Sequence, residues 1–178
     1  VRLNRAAESL TQWVAGPLAK KIPSRYRDTF YLRAFGLLKV PVLFFISPKV
    51  TELSSERCVI QVPLNRRTKN HLNSMYFGVL AAGADCAGGL IAMRQIQEEG
   101  NLVSLVFKDF QANFLKRAEG DTLFTCEDGE AIRKLVHKAT ESGERESMPV
   151  RVVATVPSKL GTQPVAEFTL TLSLKRKK

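Results

Sequence analysis

Nineteen residues near the middle of the chain, MYFGVLAAGADCAGGLIAM from Met75 to Met93, carry a single charge, Asp85. A run so apolar has two possible surroundings, a bilayer or the inside of a protein. Its length is close to the ~20 residues that cross a membrane. A mid-span carboxylate, however, costs roughly 2.5–3.5 kcal/mol on insertion scales, and Gly78, Gly83, Gly88 and Gly89 weaken any helix that lacks a close neighbour. The run is therefore expected to be a buried helix, apolar all round, whose glycines admit another backbone, and not a membrane span. A sheet wrapped around it would supply that backbone.

Asp85 then needs a reason to be there. Burying an ionised carboxylate costs several kcal/mol unless it is paired, and the same cost raises its pKa, which is what an acid–base catalyst uses. A structural Asp capping a loop or a subunit contact is the alternative. The adjacent Cys86 points about 100° away on a helix, and only His71 and His137 are available as bases, so it is expected to be a buried, inert thiol. Cys58, Cys86 and Cys126 are odd in number and lack CxxC spacing. Neither a disulfide framework nor a metal site is expected, and a reducing cytoplasm fits.

A chain of 178 residues, 44% hydrophobic and 25% charged, can bury a real core as one globular unit. Four of its net +10 charges sit in the terminal Lys175, Arg176, Lys177 and Lys178. The aromatics lie in apolar runs and are not interleaved with basic residues, so a nucleic-acid partner is not expected, whereas a small ligand bearing phosphates suits the charge. No secretory signal pattern opens the chain. Its basic, acid-poor first segment leaves a transit peptide as the alternative, and the Val start is read as trimming.

Ala7 to Leu38 reads as two amphipathic helices, with Leu10, Trp13, Val14 and Leu18 on one face of the first and Phe30, Phe35 and Leu38 recurring in the second. Pro41 and Pro48 punctuate VPVLFFISPKV. Cys58, Ile60 and Val62 then alternate as a strand does, and Pro63 to Ser74 is a polar loop. Past the buried helix, which Gly100 ends, Leu102 to Leu115 reads as a strand apolar on both faces at its start, hence a central one. TLFTCE is another strand. Asp128 then N-caps a helix with Ile132, Leu135, Val136 and Ala139 on one stripe, closed by Gly143. Val150 to Val156 and Val165 to Leu174 form a final pair joined by PSKLGTQP. In the last strand Ala166, Phe168, Leu170, Leu172 and Leu174 face one way, opposite Glu167, Thr169, Thr171 and Ser173. The pattern is that of an α+β domain with an antiparallel sheet curled around a helix.

With that order in place, NSMYFGVLAAGADCAGGL followed by SLVFKDFQANFLKRAEGDTL resembles the hotdog-fold superfamily of acyl-CoA thioesterases, in a branch close to the phenylacetyl-CoA-type enzymes. The family's helix start, His-Gly-Gly followed by small residues and an acid, aligns with Tyr76, Phe77 and Gly78 and, two turns on, Asp85. The strand motif aligns with Phe114, Leu115, Lys116, Arg117, Ala118, Gly120 and Asp121. Tyr76 and Phe77 depart from the family's His and first Gly.

The resemblance covers roughly Val40 to Leu174. It implies a hotdog domain over 40–178, a curved antiparallel sheet around a long central helix with one inserted helix, preceded by an N-terminal helical extension over 1–39. It also implies hydrolysis of an acyl-CoA or other acyl thioester between two protomers paired edge to edge, with pairing of dimers into tetramers left open. Amides of Gly78 and Val79 would then polarise the thioester carbonyl, Asp85 of the facing subunit would act as general base or nucleophile, and Tyr76 or Asn73 would assist. Tyr76 is equally a packed aromatic and Asn73 equally a helix N-cap. Arg66, Arg67, Lys69, Lys116 and Arg117 are the candidates for coenzyme A, which enters as part of the substrate; no separate cofactor is required. Leu80, Phe107 and Val42 to Ile46 would line a pocket for a medium or long acyl chain. A non-catalytic acyl-CoA or fatty-acyl binding protein of the same fold is the main alternative, and a hotdog hydratase or dehydratase a further one.

Overall fold

The structure, a computed structural model, describes residues 23–177. The element order is α1 Ser24–Lys39, α2 Pro41–Phe45, β1 Lys49–Leu53, β2 Cys58–Val62, α3 Phe77–Glu98, β3 Val103–Phe114, β4 Thr122–Cys126, α4 Gly129–Ser142, β5 Glu146–Thr155, α5 Pro157–Leu160 and β6 Pro164–Arg176. The first helix expected from sequence, around Trp13, lies outside the described residues.

The apolar run is α3, and it is the core of the molecule. It touches β2, β3, β4, β5 and β6 on one side and α4 on another. Among the described residues it is the one helix long and apolar enough to cross a bilayer, and here the sheet and α4 pack against it and bury half of its most apolar stretch. The six strands form one sheet in the order β1-β2-β4-β5-β6-β3, with every neighbouring pair antiparallel. The period-two pattern of β6 holds: Ala166, Phe168, Leu170, Leu172 and Leu174 are buried while Glu167, Thr169 and Thr171 are half-exposed. Ser173 departs from it, buried beneath Arg145 Nη1 and the Ser147 hydroxyl, which both donate to its Oγ.

Glycine lets α3 approach the sheet. A Cβ on Gly83 would overlap the ring of Phe124, which is itself fully buried on β4. Gly83→Ala must therefore displace a packed aromatic in a core that has no slack, and overpacking of this kind costs about 1–3 kcal/mol. Denaturant unfolding should show that loss; an unchanged midpoint would mean the helix can slide on the sheet.

The stripe Ile132, Leu135, Val136 and Ala139 is buried on α4, and Gly143 ends the helix at φ +71°. Asp128 sits at the N-cap position without capping: its Oδ2 accepts the Arg151 backbone N–H at 2.6 Å, tying α4 to β5.

The two sheet edges differ. Along β1, the Thr29 hydroxyl of α1 accepts the Val50 N–H at 2.9 Å, and Arg33 donates to the carbonyls of Pro48 and Ser47. That edge is covered from within the chain. β3 forms the other edge, so its expected central position is corrected. Among the described residues it pairs with β6 alone, and its second half is exposed throughout. Val106, apolar and exposed on the face turned from α3, is what made the segment read as buried on both sides. A register shift between Phe107 and Phe110 places one extra residue at Lys108–Asp109. This bulge moves Phe110, Ala112 and Phe114 onto the same face as Leu105 and Phe107, the face toward α3.

Candidate active site

The loop before α3 fixes the helix tip through its own polar residues. Thr68 is fully buried; its hydroxyl donates to the Pro63 carbonyl at 2.7 Å and accepts the Asn65 N–H at 2.9 Å. Asn70 Oδ1 accepts the N–H groups of Leu72 and Ser74. Two main-chain bonds, Tyr76 N–H to Thr68 O and Met75 N–H to Ala118 O, both 2.8 Å, clamp the last residues before the helix. Asn73 is not the cap. It lies three residues upstream of the N-cap position, in the left-handed region at φ 58°, with its Oδ1 accepting from Lys69 Nζ at 2.8 Å. Tyr76 holds the N-cap position, and no side chain caps the helix.

An uncapped tip leaves backbone donors free. Val79 N–H bonds to the Tyr76 carbonyl at 2.9 Å, as does Leu80 N–H at 3.0 Å, so Val79 has no amide to offer a ligand. The N–H groups of Phe77 and Gly78 have no acceptor among the described residues. They point out of the positive end of the longest helix, where a developing oxyanion is stabilised. Tyr76 folds back over this turn: a Cβ on Gly78 would sit 2.6 Å from its Cε1. The Tyr76 and Phe77 rings lie 4.7 Å apart, both exposed.

Asp85 lies further along α3, half-buried, on the side turned to β3. The point a Cβ on Gly89 would occupy is 3.7 Å from both Asp85 Oδ1 and the Phe107 ring. Burial pushes the carboxyl pKa up from 3.8, and no hydrogen bond or neighbouring cation opposes it. Asp85 has no protein partner among the described residues. Beyond Phe107 the same face carries Phe110, 41% exposed, and Phe114, 50% exposed, packed at 5.7 and 6.2 Å from the buried Phe168 ring. The sequence did not single out Phe110 or the Phe77 amide, and it marked Phe114 only as part of the strand motif. The signal for the two phenylalanines was the pair Lys108–Asp109, which breaks the alternation of β3.

The clamp at Met75 and Tyr76 also brings the five proposed cations to one end of the molecule. Arg66, Arg67 and Lys69 flank Thr68 on one side, Lys116 and Arg117 precede Ala118 on the other, and all five are exposed. Lys116 Nζ donates to Gln163 Oε1 at 2.6 Å, and the Arg67 guanidinium lies 5.7 Å over the Phe45 ring. Of the residues expected to line an acyl pocket, Phe107 borders Asp85. Leu80, Leu43 and Ile46 are core, and Val42, Phe44 and Phe45 face outward at a corner. A shallow, open concavity of ≈ 580 Å³ lies elsewhere, on the sheet face turned from α3, lined by Gln111, Asn113, Arg151, Glu167 and Thr169. The Arg151–Glu167 ion pair spans it, and no unpartnered acid opens into it.

The thiols are poor nucleophiles. Burial first, then the neighbouring Cys126, drives Cys58 up to about 12, and burial drives Cys126 to about 11 and Cys86 higher still. His71 is exposed on the loop and His137 is held by Glu141 on α4.

Among curated proteins, none matches this sequence. Solved structures do. Over 84% of its length the chain matches 96% of PA5026 from Pseudomonas aeruginosa, a protein of unknown function described as a probable thioesterase, with TM-score 0.68 at 22% identity. It matches 97% of OLEI01261 from Chlorobaculum tepidum, of unknown function, over 86% of its own length with TM-score 0.74 at 14% identity. It also matches 90% of the thioesterase HI1161 from Haemophilus influenzae over 82% of its own length, with TM-score 0.58 at 12% identity. The fold these neighbours share with the chain is the hotdog fold. Residues 30–174 match the model of one sequence family, and the chain belongs to it: Domain of unknown function (DUF4442).

Proposed function

We propose that this protein is an acyl-CoA thioesterase that hydrolyses medium- or long-chain acyl thioesters at a site formed between two copies of the chain. The observation that carries the reading is a half-buried, unpartnered Asp85 facing the open β3 side, on a helix whose tip presents two free amides. Asp85 lies eight positions beyond Phe77, about 12 Å along the helix. One chain therefore cannot bring both to a single carbonyl. A second copy paired along β3 would set the tip of its α3 beside Asp85, and the uncovered edge is where such pairing is available.

In that arrangement Asp85 takes a proton from water as the water oxygen attacks the thioester carbon. The carbonyl oxygen becomes an oxyanion held by the Phe77 and Gly78 N–H groups of the facing helix. Collapse of the tetrahedral species breaks the C–S bond, and the proton held by Asp85 passes to the departing thiolate. The raised pKa keeps the carboxylate basic enough to serve. Arg66, Arg67, Lys69, Lys116 and Arg117, gathered around the tip, would meet the phosphates of coenzyme A. Phe107, Phe110 and Phe114 give an apolar strip about 20 Å long. Each methylene buried there adds about 0.8 kcal/mol, which favours a long chain over acetate. The three unbridged thiols fit a cytoplasmic protein.

Hydrolysis of a series from acetyl- to palmitoyl-CoA tests this reading. Turnover should rise with chain length. The second reading, a binding protein without catalysis, draws on the Tyr76 ring lying over Gly78, where a carbonyl would approach the tip. Binding of long-chain acyl-CoA with no turnover in the whole series would establish it in place of the first.

A further inference from the structure

We propose that the corner made by α1 and α2 is a docking surface for an anionic lipid membrane. The α2 helix is apolar all round: Leu43, with Ile46 just past the helix end, enters the core, while Val42, Phe44 and Phe45 face out. With Leu37 and Leu38 at the end of α1, five large apolar side chains are exposed within nine residues, Leu37 at 56%, Val42 at 53% and Phe45 at 51%. Scattered exposed apolar residues need no explanation, whereas a cluster of this kind marks a surface that meets something. The backbones of the two helices are close enough that a Cβ on Gly36 would sit 2.7 Å from Phe44 N, so the cluster is held on one rigid corner.

The charge around it identifies what it meets. From Thr29 to Thr51, and again from Arg57 to Ala84, the sequence has no acidic residue. The second stretch is brought to the corner by Arg67, whose guanidinium covers the Phe45 ring at 5.7 Å. Lys39, Lys49, Arg66, Arg67 and Lys69 make no ion pair with a carboxylate among the described residues. An apolar face with Arg67 over one of its rings and further cations next to it in the chain is the chemistry of an interfacial helix that sinks to the acyl boundary while its cations meet anionic headgroups. A second copy suits it poorly, because a two-fold contact would set the same five cations against themselves. The surface does not depend on the thioesterase reading, although a lipid-derived substrate would be close at hand there.

Co-sedimentation of the full chain with vesicles tests the proposal. Binding is expected to phosphatidylcholine vesicles containing phosphatidylglycerol and not to phosphatidylcholine alone, with a loss of at least tenfold on raising salt to about 0.5 M. Phe44→Ser/Phe45→Ser should weaken it at least tenfold with an unchanged melting temperature. Lys39→Glu/Lys49→Glu should do the same, since each cation near the surface is worth about fivefold. Three results would overturn it: no binding to anionic vesicles at low salt, equal binding by both double variants, or equal binding to neutral vesicles. Self-association without lipid that Phe44→Ser/Phe45→Ser abolishes would instead assign the corner to a second copy and also defeat the proposal.

Discussion

Asp85→Asn is expected to cut thioester turnover by about 10²- to 10⁴-fold while raising the melting temperature at neutral pH. The first effect is the usual loss on removing a general base, and it should fall on kcat, since the amide keeps the shape of the side chain. The second follows from the direction of the pKa. Burial raises the Asp85 carboxyl above 3.8 in the folded protein. Between 3.8 and that raised value the folded state holds a proton that the unfolded chain has released, so stability falls as pH rises through this window and is level above it. Asparagine carries no such penalty. The variant should gain about 2–4 °C for each kcal/mol recovered, and its melting temperature should converge with wild type as pH drops below 3.8. Wild-type activity should climb with pH through the same raised pKa as the base loses its proton. Full turnover by Asp85→Asn would remove Asp85 from the chemistry. A lower melting temperature at neutral pH would mean that the carboxylate is partnered when the protein assembles.

The partial burial of Asp85 could be read from the sequence because hydrophobic burial is a long-range constraint written locally: nineteen residues with one charge leave few options. The same holds for the stripe of α4 and the alternation of β6, whose periods of 3.6 and 2 survive into the structure. Less legible was whatever depends on which strand neighbours which. The start of β3 looks central because Val106 is apolar on the outward side, and only the sheet order shows that it has no second neighbour among the described residues. The bulge at Lys108–Asp109 hid Phe110 and Phe114, since strict alternation would turn them outward. At the helix tip the pattern located the turn but not its hydrogen bonds. Val79 and Gly78 are equivalent in sequence, and they differ because Tyr76 O accepts from Val79 and leaves Gly78 free. Asn73 read as a cap by residue type, yet its left-handed backbone and its bond to Lys69 put it to use within the loop.

The uncovered β3 edge leads to the other large effect. Phe110→Asp/Phe114→Asp places two carboxylates on the apolar strip beside that edge, where pairing would strip them of water at a cost of several kcal/mol. Ultracentrifugation should find this variant monomeric, and its turnover should drop to the level of Asp85→Asn, because Asp85 and the Phe77 amide of one chain stay about 12 Å apart. A folded monomer with full activity would show that a single chain holds a complete site. Shared sites make a sharper demand on mixed dimers. Phe77→Pro deletes one tip amide at a position where proline keeps the helix, so it and Asp85→Asn should each be nearly inactive alone. In a mixed dimer one site carries both defects, and the other joins the intact Asp85 of one chain to the intact tip of its partner. After random exchange half of the dimers are mixed and half of their sites are whole, so about a quarter of wild-type activity should return. If each chain used its own Asp85 with its own tip, both sites of every mixed dimer would carry a defect and nothing would return.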